Sequence, residues 1–512
     1  MQILSSAPAE TPSPAATQDR RDEAQRTIRN AGFVAASRVL HVAGATLFAI
    51  LVPRLMGPAS FGRYALLTSL SEWFAQLSNM GVISVLTRVV PELIASGREA
   101  ESTRLFTNIF ALRIVTATAA AAVYAIVAFV WLGEPDTIAA VLVGLALLCR
   151  ILASICFALF LGRSQTLRWM AGDLLQRWLV LALVVAGGAA GGLRGACAGY
   201  FIATLLVLAV AMTGARRSID WRVLDPSLRY LRPYLRLGLS FAVSQVLHNV
   251  ANRSGALIVR VATGNYLQVG FLGAAAAMYQ MGGMTVWQVA GSLTPFFVGR
   301  FHSGERKAVA GWLSRLLTLM VMGAVLVNFS VLFTGADLIP RLLGSAFAPV
   351  VTSLAPLAVA LIPFSFAAIG RIVALLVDRP GVAALASAAE LAVAWAAGPA
   401  MASWLGAPGA AAGMLIGVCA WAFVMWWPLR RALEVPFLPA FKALGLGAAF
   451  VPVAPLRGGF ATNLLLLLAS GAAYILLAVR LHIVSPRDIE TLRQFTRRRG
   501  APDAGAILSA DE

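Results

Sequence analysis

Long apolar blocks, separated by short polar stretches, recur from residue 31 almost to the end of the chain. Two examples are IVTATAAAAVYAIVAFVWL (114–132) and TNLLLLLASGAAYILLAV (462–479). At a rise of roughly 1.5 Å per residue, each is long enough to cross a hydrocarbon core of roughly 30 Å. The pattern predicts an all-α polytopic membrane protein with about 14 transmembrane helices. They begin near residues 31, 64, 105, 137, 171, 192, 237, 266, 311, 346, 382, 408, 440 and 462.

The composition agrees with this class. Only 12% of the 512 residues are charged and 59% are hydrophobic, which leaves too few polar groups for an aqueous surface. The four cysteines fall in predicted spans without metal-ligand spacing, and the four histidines are scattered. We therefore expect no metal site, no cofactor and no disulfide framework. The sequence has neither a phosphate-binding loop nor a recognisable catalytic motif, which favours transport over catalysis.

The net charge of +18 is distributed as a topology signal. Of the 41 basic residues only Lys307 and Lys442 are lysines, and most of the arginines lie in alternate loops. This positive-inside pattern predicts cytoplasmic termini and a cytoplasmic loop at 214–236. It places residues 133–136 and Gly264 on the opposite, periplasmic side. Because the charge follows the loops, it argues against a nucleic-acid partner.

An internal repeat relates the two halves of the chain. SRVLH (37–41) matches SQVLH (244–248) at an offset of 207, which also pairs Gly57 with Gly264, Thr87 with Thr294, and ASGRE (95–99) with HSGER (302–306). An offset of six spans preserves orientation, so we predict two parallel six-helix lobes, an architecture suited to alternating access, plus two extra C-terminal helices. The predicted units are a disordered cytoplasmic tail (1–30), an N-lobe (31–213), a cytoplasmic linker (214–236), a C-lobe (237–433), helices 13 and 14 (434–483) and a cytoplasmic tail (484–512).

Polar residues inside predicted spans mark a candidate cavity, because they are unfavourable in hydrocarbon and face the bundle interior. The seventh span has Gln245, His248 and Asn252 at i, i+3, i+7 and Asn249 and Arg253 at i, i+4, which predicts one polar face. The first span has Arg38 and His41, and the second has a stripe of Ser69, Glu72, Gln76 and Asn79. Spans 1 and 7 are equivalent in the repeat, so these faces predict one central cationic cavity. The substrate-binding candidates are Arg38, His41, Glu72, Gln76, Gln245, His248, Asn249, Asn252 and Arg253.

Structural interpretations of the same residues stay open. Asn, Gln, Ser and His also join membrane helices as packing residues, and Glu72 can simply neutralise one of the arginines. Asp173 and Arg177, at i, i+4, are expected to pair at the membrane interface. The sequence does not assign Arg150, Arg371 and Glu390 to a face.

The run LVPRLMGPASFGRYALLTSL (51–70) resembles the first loop of the polysaccharide transporter family, the Wzx-type O-antigen or oligosaccharide flippases. GVISVLTRVVPELIASGRE (81–99) continues the resemblance. This family belongs to the multidrug/oligosaccharidyl-lipid/polysaccharide exporter superfamily, with the multidrug/toxin extruders (MATE) and the lipid II flippase. One departure is Ala59-Ser60, where relatives often have an acidic residue.

The resemblance implies a MATE-like fold and a flippase in the bacterial inner membrane. Its substrate would be a polyprenyl-diphosphate-linked oligosaccharide for O-antigen, lipopolysaccharide or exopolysaccharide synthesis. The implied partners are this lipid-linked oligosaccharide, membrane lipids, and the polysaccharide polymerase and export machinery. Buried arginines with amide and hydroxyl side chains suit an anionic diphosphate and a hydroxyl-rich glycan.

Two alternatives remain at this stage. A cation-coupled multidrug extruder of the same fold would favour acidic residues in the N-lobe, where Glu72 is the clear candidate. A membrane glycan polymerase or ligase would need a large periplasmic loop, which the predicted topology does not provide. The glycan, the energy source and the oligomeric state do not follow from the sequence.

Overall fold

The computed structural model describes the backbone of residues 14–79, 81–131, 133, 136–225 and 228–483. Side chains are described from residue 40 onward within these ranges, except at 228–229 and 235–241. The side chain of Arg38, residues 1–13 of the predicted first tail, and the predicted tail 484–512 therefore lie outside the described residues.

The described chain is α-helical and contains no strand, as the apolar blocks predict. The N-lobe consists of α1 (Pro14–Asn79), α2 (Val82–Ala95), α3 (Glu99–Ile126, continued by a π-turn at Val127–Trp131), α4 (Thr137–Gly162) and α5 (Thr166–Ala215). Two 3-10 turns, Arg216–Ser218 and Trp221–Val223, follow in the linker. The C-lobe consists of α6 (Leu228–Arg253), α7 (Gly255–Thr263), α8 (Tyr266–His302), α9 (Arg306–Leu343), α10 (Val350–Leu376), α11 (Pro380–Leu405) and α12 (Ala407–Leu429). The additional helices are α13 (Leu438–Ala448, followed by a 3-10 turn at Val451–Leu456) and α14 (Phe460–Arg480).

Two of these helices fold back on themselves at glycine. α1 bends at Gly57 (φ 72°), and the rings of Phe48 and Tyr64, on either side of the bend, are 6.4 Å apart. α5 bends at Gly191–Gly192, so that a Cβ on Gly199 would lie 2.0 Å from the carbonyl oxygen of Leu183. Ten helical stretches of the described residues are long and apolar enough to cross a membrane. Two of these stretches, α1 and α5, are hairpins that each contain two spans, which raises the number of spans to twelve. The helices α6–α7 and α8 add two more, so the fold contains the fourteen predicted segments.

Three boundaries differ from the prediction. α1 begins at Pro14, within the tail that we expected to be disordered to residue 30, because its Ala, Gln, Arg and Glu residues favour helix. α6 begins at Leu228, within the predicted linker, and brings Tyr230 and Tyr234 onto the helix. The thirteenth span is short, since α13 has 11 residues and its last part is a 3-10 turn.

The backbone repeats the duplication that the sequence suggested. Ten of the described residues with positive φ form five pairs, each pair occupying the same place after corresponding helices of the two lobes. The pairs are Gly57 and Gly264, Gly97 and Gly304, Gly133 and Gly344, Ser164 and Asp378, and Gly192 and Gly406. A positive φ is unfavourable for most L-residues, so it occurs only where the chain path requires it. Its recurrence at matching turns therefore reflects a shared chain path and does not follow from the apolar composition of both halves. The two lobes therefore share one chain path.

The lobes contact each other where α1 crosses α8. A Cβ on Gly62 would lie 2.0 Å from the carbonyl oxygen of Tyr266, and one on Gly270 would lie 1.9 Å from that of Pro58. Gly62 thus packs on the first residue of α8, and Gly270 packs on the residue that follows the bend of α1 at Gly57. This reciprocal contact is expected where two equivalent helices cross on a pseudo-twofold axis. Only glycine permits such an approach.

Candidate functional site

Two cavities open at and beside the contact between the lobes. The N-lobe cavity, of about 220 Å³, is lined by Glu72, Ala75, Gln76, Asn79, Ile83, Arg113, Arg150, Ile151, Ser154, Phe157 and Gln176. The interface cavity, of about 110 Å³, lies between α1 and the C-lobe helices α6, α7, α8 and α12. Its polar lining residues are Tyr64, Thr68, Ser69, Asn252, Arg253 and Gln280. The predicted stripe on the second span lies along both cavities: Ser69 lines one, and Glu72, Gln76 and Asn79 line the other.

Glu72 forms an ion pair with Arg150 of α4 in the N-lobe cavity. The side chains are 24% and 15% exposed, so both charges are largely removed from water. Arg150 is also close enough to Tyr200 of α5 to interact with it electrostatically. Glu72 therefore balances an arginine, as one of our interpretations held, but the partner is Arg150.

Further guanidinium groups surround this pair. Arg253 of α6 and Arg177 of α5 are both close enough to act electrostatically on Glu72. Arg113 of α3, 2% exposed, donates to the backbone carbonyl of Ser78 and lies 3.3 Å from its Oγ. Glu72 is the one acidic side chain among the described residues that line either cavity. Asp173 of α5 is in turn close enough to act electrostatically on Arg177. Two carboxylates against four guanidinium groups leave the region with surplus positive charge.

Amide side chains connect the two lobes next to these charges. Asn249 Nδ2 of α6 donates to Gln76 Oε1 of α1 at 3.1 Å, and Gln245 Nε2 donates to Asn249 Oδ1 at 3.1 Å. Asn252 and Arg253 continue the same helix into the wall of the interface cavity. Gln76, Gln245 and Asn249 thus form one hydrogen-bonded chain, and Asn252 and Arg253 lie one turn further along α6.

The two histidines face elsewhere. His248 points into the C-lobe, where its Nδ1 lies 2.8 Å from Glu390 Oε2 and its ring stacks on Trp421 at 4.2 Å. His41 Nδ1 lies 3.1 Å from Asp173 Oδ2 on α5, and neither histidine lines a cavity. The single polar face predicted for the seventh span is therefore corrected to two faces, because His248 projects away from Asn249 and Arg253.

The sequence alone does not assign several arginines near the site. Arg113 was not considered, although an arginine deep within an apolar block is itself a signal. Asp173, the expected partner of Arg177, is close enough to act on it electrostatically and also bonds His41, while the Arg177 side chain packs over Gly44, 3.2 Å from a Cβ placed there. Arg371, which we could not assign, lies over the Trp287 ring at 4.8 Å.

No protein-family model matches the sequence, and a search of curated proteins finds no match. Solved structures do match. The lipid II flippase MurJ in an inward closed conformation superposes with a TM-score of 0.66 at 12% identity, covering 89% of this chain and 99% of the flippase. A multidrug resistance MATE family transporter in its inward-facing conformation gives 0.64 at 15% identity, covering 77% of this chain and 94% of the transporter. An outward-facing structure of such a transporter gives 0.52 at 15% identity, with 80% and 96% covered.

The chain therefore has the fold of these MATE family transporters and of the lipid II flippase MurJ. The chain is a multi-pass membrane protein with a transporter fold, and the structures that it resembles are transporters and a flippase, not enzymes.

Proposed function

We propose that the protein is a flippase for an anionic lipid-linked oligosaccharide, with a polyprenyl diphosphate as the lipid carrier. The surplus of guanidinium groups around Glu72 at the lobe interface carries this proposal. A charged side chain within a membrane span is unfavourable by about 2.5–3.5 kcal/mol on insertion scales, and the four arginines outnumber the two nearby carboxylates, Glu72 and Asp173, so they need a further compensating anion. A diphosphate is suited to this, because each guanidinium can donate two parallel hydrogen bonds to it.

The polar neighbours of the arginines suit the glycan. Gln76, Asn79, Ser154 and Gln176 line the N-lobe cavity, and amides and hydroxyls donate to and accept from sugar hydroxyls equally well. The lipid chain would remain in the bilayer while the headgroup passes between the lobes. The resemblance of residues 51–70 to the Wzx-type flippases supports a role in O-antigen, lipopolysaccharide or exopolysaccharide synthesis.

The fold supports the alternative of a multidrug extruder, but the surplus positive charge around the cavities opposes it. A cationic drug would meet the surplus arginines, and Glu72, the acidic residue in the lining, already pairs with Arg150. A glycan polymerase or ligase finds no support in the resemblance to transporters and a flippase.

The positive-inside pattern supports an inner-membrane location with both termini in the cytoplasm. In this orientation the Gly62–Gly270 crossing closes the periplasmic end, where Phe61, Phe271 and Phe347 also meet across the lobes. The conformation would then receive substrate from the cytoplasmic leaflet. Polysaccharide polymerase and export machinery would act on the flipped product.

Reconstitution into proteoliposomes tests the proposal. A polyprenyl-diphosphate-linked N-acetylglucosamine placed in one leaflet should appear in the other, as measured by accessibility to an impermeant lectin. Arg253→Ala should slow this movement by about ten- to a hundredfold, since a charge-assisted hydrogen bond contributes about 1.5–3 kcal/mol. Arg253→Lys should keep part of the rate, because lysine offers a point charge without the planar fork.

The matched control is Arg300→Ala, which removes an ion pair with Glu305 at the end of α8, outside both cavities, and should leave the rate unchanged. Equal rates in wild type and Arg253→Ala would remove the headgroup role of this arginine. Transport of cationic dyes without movement of the glycolipid would favour the extruder.

A further inference from the structure

The centre of the C-lobe contains a second polar cluster, away from both cavities. His248 of α6 and Glu390 of α11 are bonded at 2.8 Å and are 1% and 2% exposed. One turn earlier on α6, Ser244 Oγ lies 3.2 Å from Ser387 Oγ of α11, so two polar contacts join these helices. A carboxylate this deeply buried is unfavourable unless its charge is balanced.

The surroundings of the pair provide no permanent cation in contact with Glu390. From α8, Tyr279 is close enough for its ionisation to be coupled to Glu390, and Trp287 lies 6.0 Å from the His248 ring. From α12, Trp421 stacks on His248. From α10, Arg371 lies over Trp287, and it is not bonded to Glu390. Among the described residues, His248 is the hydrogen-bond partner of the carboxylate.

Charge neutrality then requires one proton. With one proton beyond the neutral imidazole, the pair is either carboxylate and imidazolium or carboxylic acid and imidazole, and its net charge is zero. Loss of that proton leaves an uncompensated negative charge in a low-dielectric interior, which is strongly unfavourable. His248 Nε2 is buried without a partner among the described residues, and it provides the second nitrogen through which a proton can enter or leave.

Two other carboxylates of the lobes, Glu72 and Asp173, differ in this respect. Glu72 is balanced by Arg150, a permanent cation, and needs no proton. The N-lobe counterpart of the pair, His41 with Asp173, meets water because the Asp173 side chain is 47% exposed. Of these three sites, the C-lobe pair is the one at which gain or loss of a proton changes the net charge of a fully buried group, and therefore changes the free energy strongly.

We propose that His248 and Glu390 bind one exchangeable proton, and that this site couples glycolipid movement to a proton gradient. The coupling rests on the proposed function, whereas the proton site does not. The physical link is α6, which presents His248 to the C-lobe core and, on its other side, Asn249 to Gln76 and Arg253 to the interface cavity. A change in the α6–α11 contact on proton release therefore moves the residues that would hold the headgroup.

The proton site is tested by intrinsic fluorescence of the full-length protein in nanodiscs. Release of the proton changes the net charge beside the indole of Trp421, whichever of the two forms the protonated pair adopts. The wild type should therefore show a pH-dependent step in tryptophan emission that is lost in Trp421→Phe. Glu390→Gln and His248→Asn should each remove the step, while Asp173→Asn, the matched N-lobe variant, should retain it. A step that persists in Glu390→Gln or His248→Asn, or its absence from the wild type, overturns the proposal.

Coupling is tested in proteoliposomes with the polyprenyl-diphosphate-linked N-acetylglucosamine. With one proton per cycle, an imposed gradient of one pH unit should drive about tenfold accumulation in one leaflet by the wild type. Glu390→Gln should still exchange the probe between leaflets, which shows that it is folded, but should not accumulate it. Exchange by the wild type without accumulation contradicts coupling alone. No movement by the wild type, together with an intact fluorescence step, contradicts the proposed function and with it the coupling, but not the proton site.

Discussion

At the scale of single residues, two polar pairs inside the bundle join residues that are far apart in the sequence. Glu72 meets Arg150 and His248 meets Glu390, and in each case the partner comes from a helix much further along the chain. The sequence identified Glu72 and His248 as polar positions because they stand out from apolar blocks. It could not supply their partners, since helical periodicity shows which residues share a face but not what that face meets.

The Glu72–Arg150 pair leads to a prediction about stability. Glu72→Gln leaves Arg150 without its counter-charge in a largely buried position, so we expect a loss of about 1–3 kcal/mol and a lower melting temperature in detergent. Replacing both residues, as Glu72→Gln with Arg150→Met, should recover part of the loss, which a double-mutant cycle measures. If the two single effects simply add, the pair contributes no coupling energy and the ion pair is not a stabilising contact.

At the scale of helices, the α1–α8 crossing determines whether the lobes can close at the Gly57 end. Gly62→Ala or Gly270→Ala places a Cβ about 2 Å from a backbone carbonyl oxygen of the opposite helix, and backbone cannot move aside as a side chain can. We expect both variants to favour separation of the lobes at this end. Spin labels at Leu55 and Leu267, which are exposed on the two lobes, should report a longer distance by double electron–electron resonance.

The control for this experiment lies on the same helix. Gly291→Ala in α8 adds a Cβ that has no atom within 4 Å, so the distance distribution should match that of the wild type. An unchanged distribution in both Gly62→Ala and Gly270→Ala would show that the crossing does not limit closure.

At the scale of the whole molecule, the orientation of the fold in the membrane is the next property to measure. Cys149, Cys156 and Cys197 are buried and Cys419 is exposed, so Cys419→Ser gives a background with low reactivity. In that background Trp221→Cys, at a linker position 54% exposed, should be labelled by an impermeant maleimide only after the membrane is opened. Gly458→Cys, in the exposed turn between α13 and α14, should be labelled in intact cells. The reverse result would invert the predicted topology.

The sequence by itself determined the class, the segments and the duplication. Apolar blocks long enough for a bilayer leave helices as the available structure, because every backbone polar group must be satisfied within its own segment. The match of SRVLH with SQVLH predicted the repeat, and the paired positive-φ residues show the same chain path in both lobes. These properties are local or periodic, so they can be recognised without knowing how the helices pack.

Only the tertiary structure decided which polar residues belong to one site. Arg113, Arg150, Arg177 and Arg253 come from four helices, and they converge on Glu72 through the rotation and crossing of those helices. The same packing takes His248 out of the predicted cavity, because the α6 surface that contains it is covered by α11 and α12. Rotation of a helix about its axis depends on side-chain packing with neighbours distant in sequence, and no pattern along one helix contains that information.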